Sequence, residues 1–153
     1  MEKVYTSLGL MSGTSMDGVD ISIIRSNGED NYVPLFDEYF EYDEEIHRNL
    51  INLRDKIKSS KDMDNNFSLI NEIERKITLF HAAITKKIIE DKSIEIDLVG
   101  FHGQTIFHKA EQKISKQLGD GALLSRLLKK RVVYKFREND ILNGGEGAPL
   151  API

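Results

Sequence analysis

Gly9 to Asp20, between two apolar runs, reads Gly-Leu-Met-Ser-Gly-Thr-Ser-Met-Asp-Gly-Val-Asp, a concentration of small, hydroxyl and acidic residues suited to holding phosphate. Gly13 and Gly18 lack a Cβ, so the backbone is free to take φ > 0 and a ligand can approach it closely. Ser12, Thr14 and Ser15 supply hydroxyls, and successive peptide N–H groups in such a turn form an anion-binding concavity. Asp17 and Asp20 would repel a bare phosphate, which makes chemical sense with a divalent cation between them. The competing reading is a plain hairpin loop, since such loops are commonly rich in Gly, Ser and Asp. No Gly-Lys-Ser/Thr follows and no Gly-x-Gly-x-x-Gly opens a helix, so neither common nucleotide fingerprint applies. What remains is a phosphate clamp between two strands.

Two further groups carry chemistry. His102-Gly103-Gln104-Thr105 begins where a buried strand, Ile96 to Phe101, should end, and ligands of open α/β sheets bind beyond the carboxyl ends of strands. The alternative is a turn in which His102 and Gln104 only satisfy backbone groups. His108 lacks a carboxylate or third ligand at metal spacing, so a zinc site with His102 is not indicated. Arg137, past the last strand, is a planar donor suited to an anionic or carboxylate-bearing ligand, and an ion pair with Asp140 accounts for it equally well. His81 lies beside the apolar stripe of a helix with no chemical partner near in sequence, and is read as structural or solvent-facing.

The elements that must position these groups follow from periodicity. Val4 to Leu10, Val19 to Ile24 and Tyr32 to Tyr42 read as three strands of an antiparallel meander, with Pro34 near the start of the third. Asp43 caps a helix whose Ile46, Leu50, Leu53 and Ile57 share one face. Ser59 to Asn66 reads as a polar break. A longer helix spans Phe67 to Lys92, with Ile70, Ile73, Ile77, Phe80, Ile84 and Ile88 at helical spacing and the task of covering a sheet. Asp120 caps a helix from Gly121 to Lys130. Val132, Val133, Tyr134 and Phe136 form the last strand.

Composition narrows the class. A chain of 153 residues is about one domain and buries a real core. A net charge of -4 with interspersed signs offers no field for nucleic acid or anionic membrane. No apolar run approaches the ~18 residues of a membrane span. The opening Met-Glu-Lys-Val-Tyr lacks a secretory pattern. The absence of cysteine excludes disulfides, thiolate nucleophiles and Cys-ligated metals. A cytoplasmic enzyme or binding domain is expected.

The blocks Met11-Ser-Gly-Thr-Ser-Met-Asp-Gly-Val-Asp20, Gly100-Phe-His-Gly-Gln-Thr105, Gln117-Leu-Gly-Asp120, Phe136-Arg137 with Asp140, and Gly144-Gly-Glu-Gly-Ala-Pro-Leu-Ala-Pro152 occur in this order along the chain. In that order they resemble the anhydro-N-acetylmuramic acid kinases, of the sugar kinase, heat-shock chaperone and actin superfamily. The resemblance implies an α/β, ribonuclease H-like, actin-type ATPase domain: an antiparallel meander extended by parallel strands, with flanking helices. It implies ATP-dependent phosphorylation of 1,6-anhydro-N-acetylmuramic acid with hydrolytic opening of the anhydro ring, giving N-acetylmuramic acid 6-phosphate in cell-wall recycling.

Carried over residue by residue, Gly13, Thr14, Ser15, Met16, Asp17, Gly18, Val19 and Asp20 would form the ATP phosphate loop, with Asp17 and Asp20 near Mg2+. His102, Gly103, Gln104, Thr105, Arg137 and Gly145 would line the amino-sugar side. Lys135 stands where the family usually has an acid, and Glu146 where it usually has Gln. The family's Asp-Thr-Gly-Pro-Gly-Asn block with the aspartate base is missing, so residues 1–153 are expected to be the N-terminal domain alone, without its catalytic residue. An apolar patch near Ala148, Leu150 and Ile153 is expected where the family chain enters its second domain. Full-length relatives are expected as possible homodimers. The alternative is a non-catalytic nucleotide- or sugar-binding module or remnant.

Overall fold

The protein, seen in a computed structural model, is described over residues 3–150. Three antiparallel strands open the chain, β1 (Tyr5–Ser12), β2 (Gly18–Ser26) and β3 (Tyr32–Glu41). Three helices follow, α1 (Glu44–Lys56), α2 (Ser60–Asn65) and α3 (Phe67–Lys92). The rest alternates: β4 (Leu98–Lys109), β5 (Ile114–Leu118), α4 (Gly121–Leu128), β6 (Arg131–Tyr134) and α5 (Glu138–Leu142). The sheet runs β3-β2-β1-β4-β5, with β6 also pairing β4. β1 and β6 both run parallel to β4, and β5 runs antiparallel to it. This mixed α/β sheet is consistent with an actin-like ATPase fold.

Local chemistry explains the helices. Asp43 accepts the Ile46 N–H at 2.8 Å at the start of α1, with Glu44 and Glu45 complementing the helix dipole. The stripe of α3 buries Ile70, Ile73, Ile77, Ile84 and Ile88 against Leu8, Leu10, Ile21, Ile23, Val99 and Phe101 from alternate sheet positions. Each such aliphatic side chain contributes roughly 1.5–3 kcal/mol by leaving water. α1 and α4 both pack against α3 on this face. The opposite face is open. Hollows of about 510 and 290 Å³ run over it, floored by Gly9, Ser22 and Gly100 and walled by Phe136, with Val133 beside one and Leu150 beside the other. Ala148 and Leu150 are exposed, as expected for an apolar patch, and Ile153 lies outside the described residues.

Several elements differ from expectation, among them α5, a helix where the sequence reading ends its elements with the last strand. The polar break at 59–66 contains α2, because Ser59 and Asp62 cap each other reciprocally. β4 does not end at Phe101 but continues to Lys109, its register shifting around Gly103, whose φ of +75° bends it. β5 supplies the partner for that extension and carried too little apolar content to be read as a strand. β6 stops at Tyr134, since Lys135 takes φ 64° and turns Phe136 out of the ladder.

Candidate functional site

The loop from Gly13 to Asp17 is held from several sides. Gln104 Nε2 donates to the Gly13 carbonyl at 2.7 Å, and the Tyr42 N–H donates to the Asp17 carbonyl at 2.8 Å. Met16 donates its N–H back to the Gly13 carbonyl at 3.3 Å and buries its side chain in the core. Among the described residues, the peptide N–H groups of Thr14 and Ser15 make no hydrogen bond, so two donors face outward at an exposed tip. Ser15 Oγ donates to Asp17 Oδ1 at 2.5 Å, and this bond holds the Asp17 carboxyl below the usual carboxylate range.

The glycines act differently from the sequence argument. Neither Gly13 nor Gly18 takes a positive φ; Met16 does, at 62°. A Cβ on Gly13 would meet only Ser15 Oγ at 3.7 Å, so this position is open space for an approaching ligand. A Cβ on Gly18 would run into the Phe40 carbonyl and the Tyr39 ring, so Gly18 serves close packing of β2 on β3. Val19 is buried in the core, and Asp20 lies at the wall of the larger open-face hollow.

β1, β6 and the first half of β4 are parallel, so their carboxyl ends gather the Gly13–Asp17 loop, His102 and Lys135 at one end of the sheet. His102 lines both the open-face hollow and a polar one of about 300 Å³. The polar hollow is walled by Glu74, Lys116, Gln117, Asp120, Lys135 and Glu138. Glu74 accepts from Lys116 Nζ at 3.2 Å and from the Gly119 N–H at 3.1 Å, and Lys135 pairs with Glu138 at 3.3 Å. Donors and acceptors of both signs over a hollow of this size suit a polyhydroxylated ligand. Asp120 caps α4 by accepting the Leu123 N–H at 2.8 Å.

Within 102–105, only His102 reaches a hollow. Gly103 would clash with the Leu118 carbonyl if it bore a Cβ, Gln104 is fully buried against the Gly13–Asp17 loop, and Thr105 Oγ1 accepts from Gln117 at 3.1 Å. His102 Nδ1 donates to the Gly103 carbonyl at 2.7 Å, and Nε2 accepts from Arg137 Nε at 3.0 Å. Both ring nitrogens are thus engaged. Burial and the neighbouring guanidinium keep His102 below the usual histidine range and neutral. Arg137 also donates through Nη1 to the Gly147 carbonyl. Its expected alternative partner, Asp140, instead accepts the Gly147 N–H at 2.7 Å. Gly145 packs on the Asp140 carboxylate, where a Cβ has no room.

Among the described residues no cluster of three or more metal-binding side chains occurs. Mg2+ in phosphate sites uses one or two carboxylates together with phosphate oxygens and waters, so the ionised Asp17 beside the two outward N–H groups fits a Mg-nucleotide. Asp20 stands further along, on the open face. Ser12, whose hydroxyl was expected to face a ligand at the turn, is buried and meets Tyr42 and His81 in the core beneath the loop. His81 is fully buried, not solvent-facing, and its partner lies 69 residues away, beyond any local signal. No helix among the described residues is long and apolar enough to cross a membrane.

Comparison with known proteins bears on the whole chain. Residues 5–153 match the family model for anhydro-N-acetylmuramic acid kinase. A protein of that name from Pelagibacter ubique is 72% identical over 153 residues, covering 100% of this chain and 41% of the relative. Another from Agrobacterium fabrum is 40% identical over 99% of this chain and 42% of its own length. The Brucella abortus protein of the same name is 36% identical over equal shares. The chain therefore spans about two-fifths of the length of these curated relatives. With both the family model and these identities running over its length, the chain belongs to the anhydro-N-acetylmuramic acid kinase family.

Proposed function

We propose that residues 1–153 form the N-terminal, actin-like domain of an ATP-dependent kinase that phosphorylates 1,6-anhydro-N-acetylmuramic acid with hydrolytic opening of the anhydro ring. The product is N-acetylmuramic acid 6-phosphate, made in the cytoplasm during peptidoglycan recycling by an enzyme that is homodimeric at full length. The observation that carries this reading is the loop itself. Two outward N–H donors, an open Gly13 and an ionised Asp17 stand at the sheet end that also holds the polar hollow.

In this reading Thr14 and Ser15 donate peptide N–H groups to phosphate oxygens, and Asp17 faces the Mg2+ shell, with Asp20 further along β2. Bound Mg-ATP supplies the transferable phosphoryl group and neutralises its charge. His102, Arg137 and the 144–149 loop orient the sugar, with the unpaired Nη2 of Arg137 available to an anionic substituent. Lys135, where relatives of the family pattern carry an acid, adds a cation to the hollow. His102 has no lone pair free to take a proton from water, and Asp120 and Asp140 are occupied as caps of backbone N–H groups. The general base, worth about 10²–10⁴-fold, is assigned to the family's Asp-Thr-Gly-Pro-Gly-Asn block, which residues 1–153 lack.

Calorimetry with Mg-ATP tests the nucleotide site. Gly13→Val leaves the fold intact because its Cβ has room, yet fills the approach to the loop, so weak wild-type binding is lost. Equal affinity in both proteins would sink the reading. The isolated chain makes no N-acetylmuramic acid 6-phosphate, and supplying the C-terminal part of a relative restores turnover; product from the uncomplemented chain refutes the assignment of the base.

A further inference from the structure

We infer that His81 is a positioning residue for the phosphate loop, acting through Ser12 to fix where the Thr14 and Ser15 peptides point. The functional part of this inference rests on the reading of Gly13 to Asp17 as a phosphate site. His81 Nδ1 lies 2.7 Å from the Ile77 carbonyl, an oxygen that only accepts, so Nδ1 carries the proton and Nε2 is bare. Nε2 therefore accepts from the Ser12 hydroxyl, 3.3 Å away. With its hydrogen committed, Ser12 Oγ accepts from the Tyr42 hydroxyl at 2.9 Å. One helix carbonyl thus sets the direction of the whole chain of bonds, from Tyr42 through Ser12 to His81.

All three groups are in the core, with exposures of 6% for Tyr42, 1% for Ser12 and 0% for His81. Phe101 and Phe80 flank the imidazole at 5.0 and 6.3 Å between ring centroids. Burial lowers its pKa to about 4, in keeping with the neutral ring that the geometry requires. Apolar side chains would fill this space without the cost of burying polar atoms. The placement of the bonds shows what the polar set does. Ser12 is the last residue of β1 and precedes Gly13, while the Tyr42 backbone N–H holds the Asp17 carbonyl. Tyr42 therefore grips both ends of the turn, its hydroxyl at the entry and its peptide at the exit, and His81 locks the entry to α3. Donors fixed in advance bind an oxyanion without reorganising, and a loop loosened at Ser12 loses that advantage.

The test uses the whole chain with nitrogen-15 label. Wild-type His81 is expected as the Nδ1–H tautomer. His81→Gln places a carbonyl oxygen near the position of Nε2, so it keeps the Thr14 and Ser15 amide shifts and holds Mg-ATP affinity within about twofold. His81→Phe keeps a ring but no acceptor; it moves those shifts and weakens Mg-ATP about tenfold. Ser12→Ala removes the central hydroxyl without adding volume and gives the same comparison if the Phe variant does not fold. If the loop shifts respond but the wild type binds no nucleotide, the phosphate reading fails and the positioning role stands. An Nε2–H tautomer, unchanged loop shifts in both His81→Phe and Ser12→Ala, or equal losses in His81→Gln and His81→Phe that track thermal stability alone, would overturn the inference.

Discussion

The chain has two glycine-bearing loops at the same end of its sheet, and they are held by opposite means. Gly13 to Asp17 is fixed from beneath by neutral, buried groups: Gln104, Ser12, His81, Tyr42 and the side chain of Met16. Gly144 to Leu150 is fixed from beside by charged, partly exposed ones, Arg137 on the Gly147 carbonyl and Asp140 on the Gly147 N–H. A loop clamped by buried neutral bonds keeps its shape across salt concentrations, because no mobile ion competes for those partners. A loop clamped by an exposed guanidinium and carboxylate responds to salt and to a change of ligand charge. The difference separates a rigidly held turn from an adjustable wall.

The largest effect should come from the glycine at which the rigid loop enters β2. Gly18→Val forces a side chain into the Phe40 carbonyl and the Tyr39 ring, at a cost of about 3 kcal/mol by urea unfolding. Gly13→Val at the same loop should change stability by under ~1 kcal/mol. Equal losses would mean that the two glycines do not divide into a packing and an approach position.

Acid should loosen the same support. His81 is held neutral with a pKa of about 4, against an ordinary value of 6.5, while the unfolded chain takes its proton at the higher value. Between those limits the unfolded state binds more protons, so stability present above pH 6.5 falls as pH drops, by ~1.4 kcal/mol per pH unit from this residue. Tyr42, held in its protonated form by burial, and neutral His102 are the nearest titratable neighbours and supply no counter-charge. Unfolding midpoints from about pH 7 to about pH 4.5 should show a shallower slope in His81→Gln than in the wild type. Parallel slopes would remove His81 as the source.

The adjustable wall should give the smallest change. Arg137→Ala frees the Gly147 carbonyl and His102 Nε2 at once and should cost about 1–2 kcal/mol. Arg137→Lys should not restore it, because a point charge does not make both bonds in the same plane. Raising NaCl to about 0.5 M should speed amide exchange at Gly147 and leave exchange at Tyr42, whose N–H holds the Asp17 carbonyl, unchanged. Equal salt responses at both loops would erase the contrast.

What was legible in the sequence is what depends on neighbours along the chain. β1 to β3, the capped α1 and the full span of α3 announce themselves through local periodicity and cap chemistry. Beyond that range the signals vanish. The extension of β4 depends on Gly103 turning through φ +75° against Leu118, and β5 is a strand only because that extension offers it an edge. His81 looked inert because its partners, Ser12 and Tyr42, come from other parts of the chain. In the candidate site, the motif blocks name residues that the fold brings to one end of the sheet, while the burial of Gln104 and the engagement of both His102 nitrogens are facts of packing that no spacing encodes.

The outer margin of β3 has a consequence for how these molecules coexist in a crowded solution. It is a long terminal strand whose free peptide groups invite a stranger's strand to add on. Pro34 withholds a donor from that margin, and Asp37, Glu38 and Glu41 set negative charge along it. Two copies brought edge to edge would oppose like charge across a ladder with a missing rung. The strand that contributes least to ligand chemistry thereby carries the features that oppose edge-to-edge growth of the sheet.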